Sequence, residues 1–154
     1  MGVDPGIAAT GYGIIKIARR DDAELLDYGL ISTTPGEEHP KRLQYIYERI
    51  VEVIKRHNPN VVAIESLFHS KNLKALVDVS EAIGVITLAA ANFNLKVQKF
   101  TPLKVKSAIV GIGRAKKGQV GLMIQNILNL DSPPKPHHAS DALAVAICYK
   151  NLFL

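Results

Sequence analysis

Four residues far apart in a chain of 154 carry side chains suited to holding a divalent cation: Asp4, Glu65, His138 and Asp141. Glu65 closes the run VVAI, residues 61–64, a β-branched apolar stretch of the kind that becomes a strand buried on both faces. A bare carboxylate at such a place costs several kcal/mol to bury, or must take up a proton. Asp4 follows Met1, Gly2 and Val3, which read as the end of a strand, and it precedes Pro5–Gly6. His138 and Asp141 stand three apart, at the start of a helix whose next residues, Ala142 to Cys148, are almost wholly apolar. Helical spacing places the two on one face. If two strand ends and one helix end meet, the carboxylates repel one another unless a cation joins them. Oxygen donors favour hard ions, above all Mg²⁺ or Mn²⁺. Two such ions can flank a phosphate, one activating water and one steadying the leaving oxygen.

Plainer explanations exist for three of the four. Asp4 can shape the turn at Pro5–Gly6, and Asp141 can complement a helix dipole, worth ~0.3–1 kcal/mol. A lone His138 is more often a cap or a surface residue than a ligand. Glu65 is the hardest to explain otherwise, because no basic residue lies beside it in the run.

The elements that must position these groups follow from periodicity. Residues 11–18 and 24–32 read as strands, joined by a polar turn around Arg20–Asp22. Leu43, Ile46, Tyr47, Ile50, Val53 and Ile54 form one apolar stripe of a helix over 40–57, stopped by His57–Asn58–Pro59. The strand at Val61 follows. A second helix over 72–92 is apolar nearly all round in its later half, so that half must be hidden in the core or against another chain. Residues 95–100 read as a strand, and Thr101–Pro102 has the chemistry of a helix start. Further helices are expected over 119–130 and 139–152. This order predicts an α/β domain spanning 1–154, a mixed sheet with a hairpin meander on one side, parallel strands on the other, and helices on both faces. Sites in such sheets gather at the carboxyl ends of parallel strands. Asp4 and Glu65 both fall there.

The net charge of +5 is unevenly spread. Residues 1–81 hold ten Lys/Arg against twelve Asp/Glu, whereas residues 82–154 hold nine against two. Between Lys96 and Gly118 there are seven basic residues and no acid, a pattern that suits a polyanionic partner and, on charge alone, equally a merely solvated face. Cys148 is the single cysteine, which excludes an internal disulfide framework and suits a reducing cytoplasm. Neither a signal segment nor a stretch suited to crossing a membrane is apparent.

Four blocks, GVDPGIAATGYGII, AIESLFHSKN, VKSAIVGIGRAKKGQV and HHASDALAVAICY, resemble the signature blocks of the RuvC family of Holliday junction resolvases, in family order and spacing over essentially the whole chain. The resemblance implies a ribonuclease-H-like fold, a five-stranded mixed sheet flanked by helices on both faces. It also implies a homodimeric, Mg²⁺-dependent endonuclease that nicks two opposing strands of four-way junction DNA, in recombination and repair, beside a branch-migration helicase complex. Two ions per site are expected, with Mn²⁺ as substitute. Asp4, Glu65 and Asp141 fall on the acidic ligands, and His138 on the remaining active-site position. Phe68 falls on the aromatic that inserts at the junction, Lys106 and Lys117 on basic residues facing DNA.

The family often has Asp where this chain has His138, and imidazole is a poorer ligand for Mg²⁺ than for Mn²⁺. So His138 either holds the second ion or shuttles a proton. Only three residues precede Asp4, which leaves the pairing of the opening strand to be seen. The over-apolar helix around Ala82 to Ala91 is the candidate for part of a dimer interface, with core packing as its rival. Two other functions compete. A phosphotransferase of the actin and sugar-kinase type shares the broad fold, but it normally needs two such domains. A non-catalytic junction-binding module would have no need of three acids together. The segment Gly111–Ile112–Gly113 does not make a dinucleotide fingerprint, since Lys116 stands at the third glycine position.

Overall fold

The computed structural model describes residues 1–19, 22–66, 72–111 and 117–154, with Lys117 described by its backbone alone. Five strands form one sheet in the order β3-β2-β1-β4-β5, with β1 Gly2–Asp4, β2 Ala9–Arg19, β3 Asp22–Ser32, β4 Val61–Glu65 and β5 Lys96–Phe100. The hairpin pairs β2 with β3 and β2 with β1 antiparallel, while β1 with β4 and β4 with β5 run parallel. This is the expected mixed sheet. The opening strand is short but paired on both sides, Val3 standing opposite Tyr12 on one side and Ile64 on the other.

Alternation along the strands divides the core in two. Val3, Ile14, Val62 and Ile64 point to the face covered by α1 (His39–His57) and α2 (Leu73–Asn92). Ala63 and Phe100 point to the other, covered by α3 (Pro102–Val110), α4 (Lys117–Ile127) and α5 (His137–Phe153). The helix ends follow the sequence signals. Asn58, in the left-handed region at φ 44°, closes α1 by donating its N–H to Ile54. Thr101 caps α3 by accepting from the Lys104 N–H at 3.2 Å, and Gly111 ends it at φ 76°, where a side chain would be strained. The last two helices begin two residues earlier than periodicity suggests, at Lys117 and His137.

The apolar half of α2 serves the core first. Ala82, Ile83, Ile86, Ala89 and Ala90 are buried against the sheet and α1, while Leu73, Val77 and Leu88 on the opposite flank are exposed. Among the described residues, the helices include none long and apolar enough to cross a membrane.

Cys148 is fully buried in the α5 layer, and its Sγ lies 3.9 Å from the Lys104 carbonyl. Burial pushes its thiol up to about 11; the Lys104 ammonium pulls against this and the Glu65 carboxylate adds to it. The native thiol is therefore expected to resist Ellman's reagent at pH 8 and to react only on unfolding. Because an ordinary thiol ionises near 9.0 while the folded one stays protonated to about 11, this group should cost the fold stability as pH rises through that window, which alkaline melting curves will show.

Candidate active site

Asp4 and Glu65 end adjacent parallel strands. The register pairs Val3 with Ile64, and one step further brings Asp4 alongside Glu65, across a strand spacing of ~4.8 Å. Strand alternation sends both carboxylates to the α5 face, since Val3 and Ile64 face the other way. The chain just beyond each is tied down. Past Asp4, Thr10, fully buried, donates its hydroxyl to the Gly6 carbonyl at 2.8 Å and accepts from the Gly6 N–H at 3.3 Å. Thr33 donates to the Ile7 carbonyl at 2.7 Å and accepts from Arg42 Nε at 2.8 Å. Past Glu65, the Ser66 N–H donates to the Phe100 carbonyl at 2.8 Å, so the end of β4 stays clamped to β5.

The start of α5 completes the group. His138 Nδ1 lies 2.6 Å from Asp4 Oδ2, the imidazole N–H donating to a carboxylate whose side chain is only 17 % exposed. Asp4 thus holds a partner 134 residues away, and the turn after it is built by Thr10 instead. Asp141, half-buried, sits three residues on from His138, on the same flank of α5 and beyond its first turn, which carries no acid. The dipole explanation for Asp141 therefore loses its footing.

Close approach makes this arrangement possible. Gly11 pairs with Asp4 and Gly13 with Gly2 across β1 and β2. A Cβ on Gly11 would stand 1.9 Å from the His138 carbonyl oxygen, and one on Gly2 would stand 2.1 Å from that of Ala142. On Gly13 it would meet the Leu143 side chain at 2.6 Å. These glycines and the anchoring Thr10, Thr33 and Ser66 are the site-building residues that sequence reasoning missed. The glycines' proximity in sequence to Asp4 was the signal available.

The remaining expected residues fall unevenly. Phe68 lies outside the described residues, as do the turn positions Arg20 and Asp21 and the cations Arg114 and Lys116. Lys106 is half-buried on α3, and Lys117 opens α4. The basic run does not make one surface. Lys96 stands at the amino end of β5, opposite Val61, with its ammonium 5.6 Å from the Phe153 ring centroid, so it serves the far end of the sheet. Lys99 and Lys104 are exposed towards the carboxyl end.

Two recesses bear on the assignment. The larger, of about 510 Å³, opens at the amino ends of the parallel strands, between Ile15 and Ile17 of β2 and Pro59–Val61, and none of the four candidate ligands lines it. A smaller one of about 210 Å³, lined by Gly6, Ile7, Asp78, Val79 and His138 among others, adjoins the Asp4–His138 pair. Among the described residues, the trio of ligand atoms already within 4.8 Å of one another is His39, Asp78 and Glu81, not the expected four. The expected four offer three carboxylates and one imidazole on a single face, a donor set that suits a hard divalent ion.

The family model for crossover junction endodeoxyribonuclease RuvC matches residues 1–149. A protein of that name from Caldanaerobacter subterraneus subsp. tengcongensis is 45 % identical over 149 residues, covering 97 % of this chain and 90 % of the relative. One from Natranaerobius thermophilus is 47 % identical over 153 residues, covering 99 % and 94 %. The solved structure of Thermus thermophilus RuvC in complex with Holliday junction substrate superposes with a TM-score of 0.91 at 35 % identity, covering 96 % of this chain and 90 % of that one. The fold is accordingly ribonuclease-H-like, as the resemblance implied.

Gly11→Ala is expected to lower stability by ~1–3 kcal/mol, since the clash is with backbone, and to weaken Mn²⁺ binding by moving His138 and Asp141 off the sheet. Gly121→Ala, in α4 with only an ordinary 3.6 Å contact to Pro133, should instead gain ~0.5–1 kcal/mol. Thermal melts and Mn²⁺ titration of both variants check this. With the match over nearly its whole length, the chain belongs to the RuvC family of crossover junction endodeoxyribonucleases.

Proposed function

We propose that this chain is a structure-specific endonuclease that resolves four-way DNA junctions by paired, symmetric hydrolytic nicks. The observation that carries it is the meeting of Asp4 and Glu65 at neighbouring strand ends, with His138 2.6 Å from Asp4 on the helix that covers them. A solved relative with 35 % identity has been captured with that kind of substrate, which supports the reading.

Asp4, Glu65 and Asp141 would hold divalent ions, Mg²⁺ with Mn²⁺ as substitute and two per site. When bound, these ions would neutralise the scissile phosphate and lower the pKa of an attacking water. The chain supplies the rest. The anchored ends of β1 and β4 keep two carboxylates fixed, so little reorganisation is needed when a phosphate arrives. His138, with Nδ1 engaged by Asp4, keeps Nε2 for the site, where it can take or return a proton. Hydrolysis leaves a 5′-phosphate and a ligatable 3′-hydroxyl. Phe68 would stack on a splayed base at the crossover, worth roughly 1–3 kcal/mol. Lys106 and Lys117, with Lys99 and Lys104, would hold phosphates of the arms, so binding should weaken as salt rises.

Two-fold symmetry of a junction calls for two sites, hence a homodimer. Leu73 and Leu88, 73 % and 55 % exposed, and Val77 form an apolar stripe on α2, with open space around Gly84 between them. That stripe is the surface we assign to the second copy. The cytoplasm as the site of action, and a branch-migration helicase complex as partner, rest on the family resemblance.

Asp4→Asn should bind a synthetic four-way junction as the parent does and cut it at least ~10²-fold more slowly, as gel shift and strand-specific nick mapping in Mg²⁺ will read. Retained cutting would overturn the metal assignment, and absent binding by the parent would overturn the substrate. Leu88→Glu should run as a monomer in light scattering and turn paired nicks into single, uncoordinated ones.

A further inference from the structure

On the opposite face of the sheet from α5, α1 and α2 bring together a second set of ligands. His39 is the first residue of α1, and Asp78 and Glu81 stand three apart on α2, which puts them on one flank of that helix. His39 Nε2 lies 2.5 Å from Glu81 Oε2, and one ligand atom from each of the three lies within 4.8 Å of the others. The carboxylate of half-buried Asp78 has no hydrogen bond or ion pair among the described residues. Two carboxylates this close repel each other. A protonated His39 would offset only one of the two charges, and a divalent cation would offset both.

We propose that His39, Asp78 and Glu81 form a transition-metal site, of the zinc class, separate from Asp4, Glu65 and Asp141. An imidazole with two carboxylates is a borderline donor set that zinc accepts readily, whereas Mg²⁺ prefers oxygen in an octahedral shell and keeps its waters. Tetrahedral bonds of about 2.1 Å hold neighbouring donor atoms roughly 3.4 Å apart. Reaching that spacing needs the His39–Glu81 contact to open slightly and Asp78 to swing in. The first adjustment falls to side chains open to solvent, His39 being 38 % and Glu81 45 % exposed, and the second to the half-buried Asp78. Three protein ligands leave a fourth position for water. The ion would tie the start of α1, between the anchoring Thr33 and Arg42, to the second and third turns of α2, where Asp78 also lines the recess beside His138.

The test is Zn²⁺ titration of the full-length chain by calorimetry in excess Mg²⁺, with Co²⁺ absorption as the spectroscopic probe. The parent and Asp4→Asn should each take up one more Zn²⁺ per chain than His39→Ala does. The tetrahedral Co²⁺ band and the Zn²⁺-induced rise in melting temperature should vanish in His39→Ala, and affinity should fall by roughly tenfold or more in Asp78→Asn. Junction cutting in Mg²⁺ alone should be unchanged in both, so that failure here is separable from failure of the nuclease reading. Equal Zn²⁺ uptake by the parent and His39→Ala, or loss of the extra ion in Asp4→Asn, would overturn the proposal. So would a parent that takes up no Zn²⁺.

Discussion

The closeness of α5 to the sheet is the constraint on which the rest depends. A helix normally rides on a layer of side chains, but Gly2, Gly11 and Gly13 remove that layer under the first turns of α5. His138 is thereby lowered to the level of the strand ends, within hydrogen-bond reach of Asp4, with Asp141 on the same flank of the helix. The cost is carried by the remainder of α5, where Ala139 and Ala142 through Cys148 are buried in an unbroken apolar run. A helix so completely enclosed resists being lifted.

The two ends of the sheet have consequently separated roles. At the carboxyl ends, short polar anchors fix backbone: Thr10 under the Pro5–Ala8 segment, Thr33 and Arg42 beside it, Ser66 against Phe100. At the amino ends, the contacts include a cation over an aromatic ring, Lys96 on Phe153, and an ion pair, His57 with Asp27 at 2.8 Å. Asp4 and Glu65 stand where the backbone beyond them is clamped by hydrogen bonds, and the helix termini at the other end close the structure.

Much of this was legible in the sequence because it is carried by local periodicity. The stripe of α1, the strand at Val61, the start of α2 and the cap at Thr101 are set by neighbours within a turn or two, and they fall within a residue or two of expectation. The convergence of Asp4 with His138 was legible as a possibility through strand ends and helix start, and as an expectation through the family blocks. What was not legible depends on contacts far apart in sequence. Nothing in GYG announces that a carbonyl 127 residues away will sit where a methyl group would go. The all-round apolar character of α2 posed a choice between core and partner, and the helix buries one flank in the core while Leu73, Val77 and Leu88 stay exposed on the other. The basic run looked continuous because the chain is continuous, yet a strand reverses its meaning along its length: Lys96 and Lys99 stand at opposite ends of β5.

The atoms that crowd the three glycines differ in kind. At Gly13 the obstacle is the Leu143 side chain, so a bulkier residue there has a second-site remedy in a smaller residue at 143. At Gly11 and Gly2 the obstacles are main-chain carbonyls, which no exchange of side chain can remove. In a genetic selection, a lesion at position 13 is open to intragenic suppression, whereas one at 11 or 2 has true reversion as its direct escape. The same fold thus contains one adjustable joint and two that heredity cannot retune piecemeal.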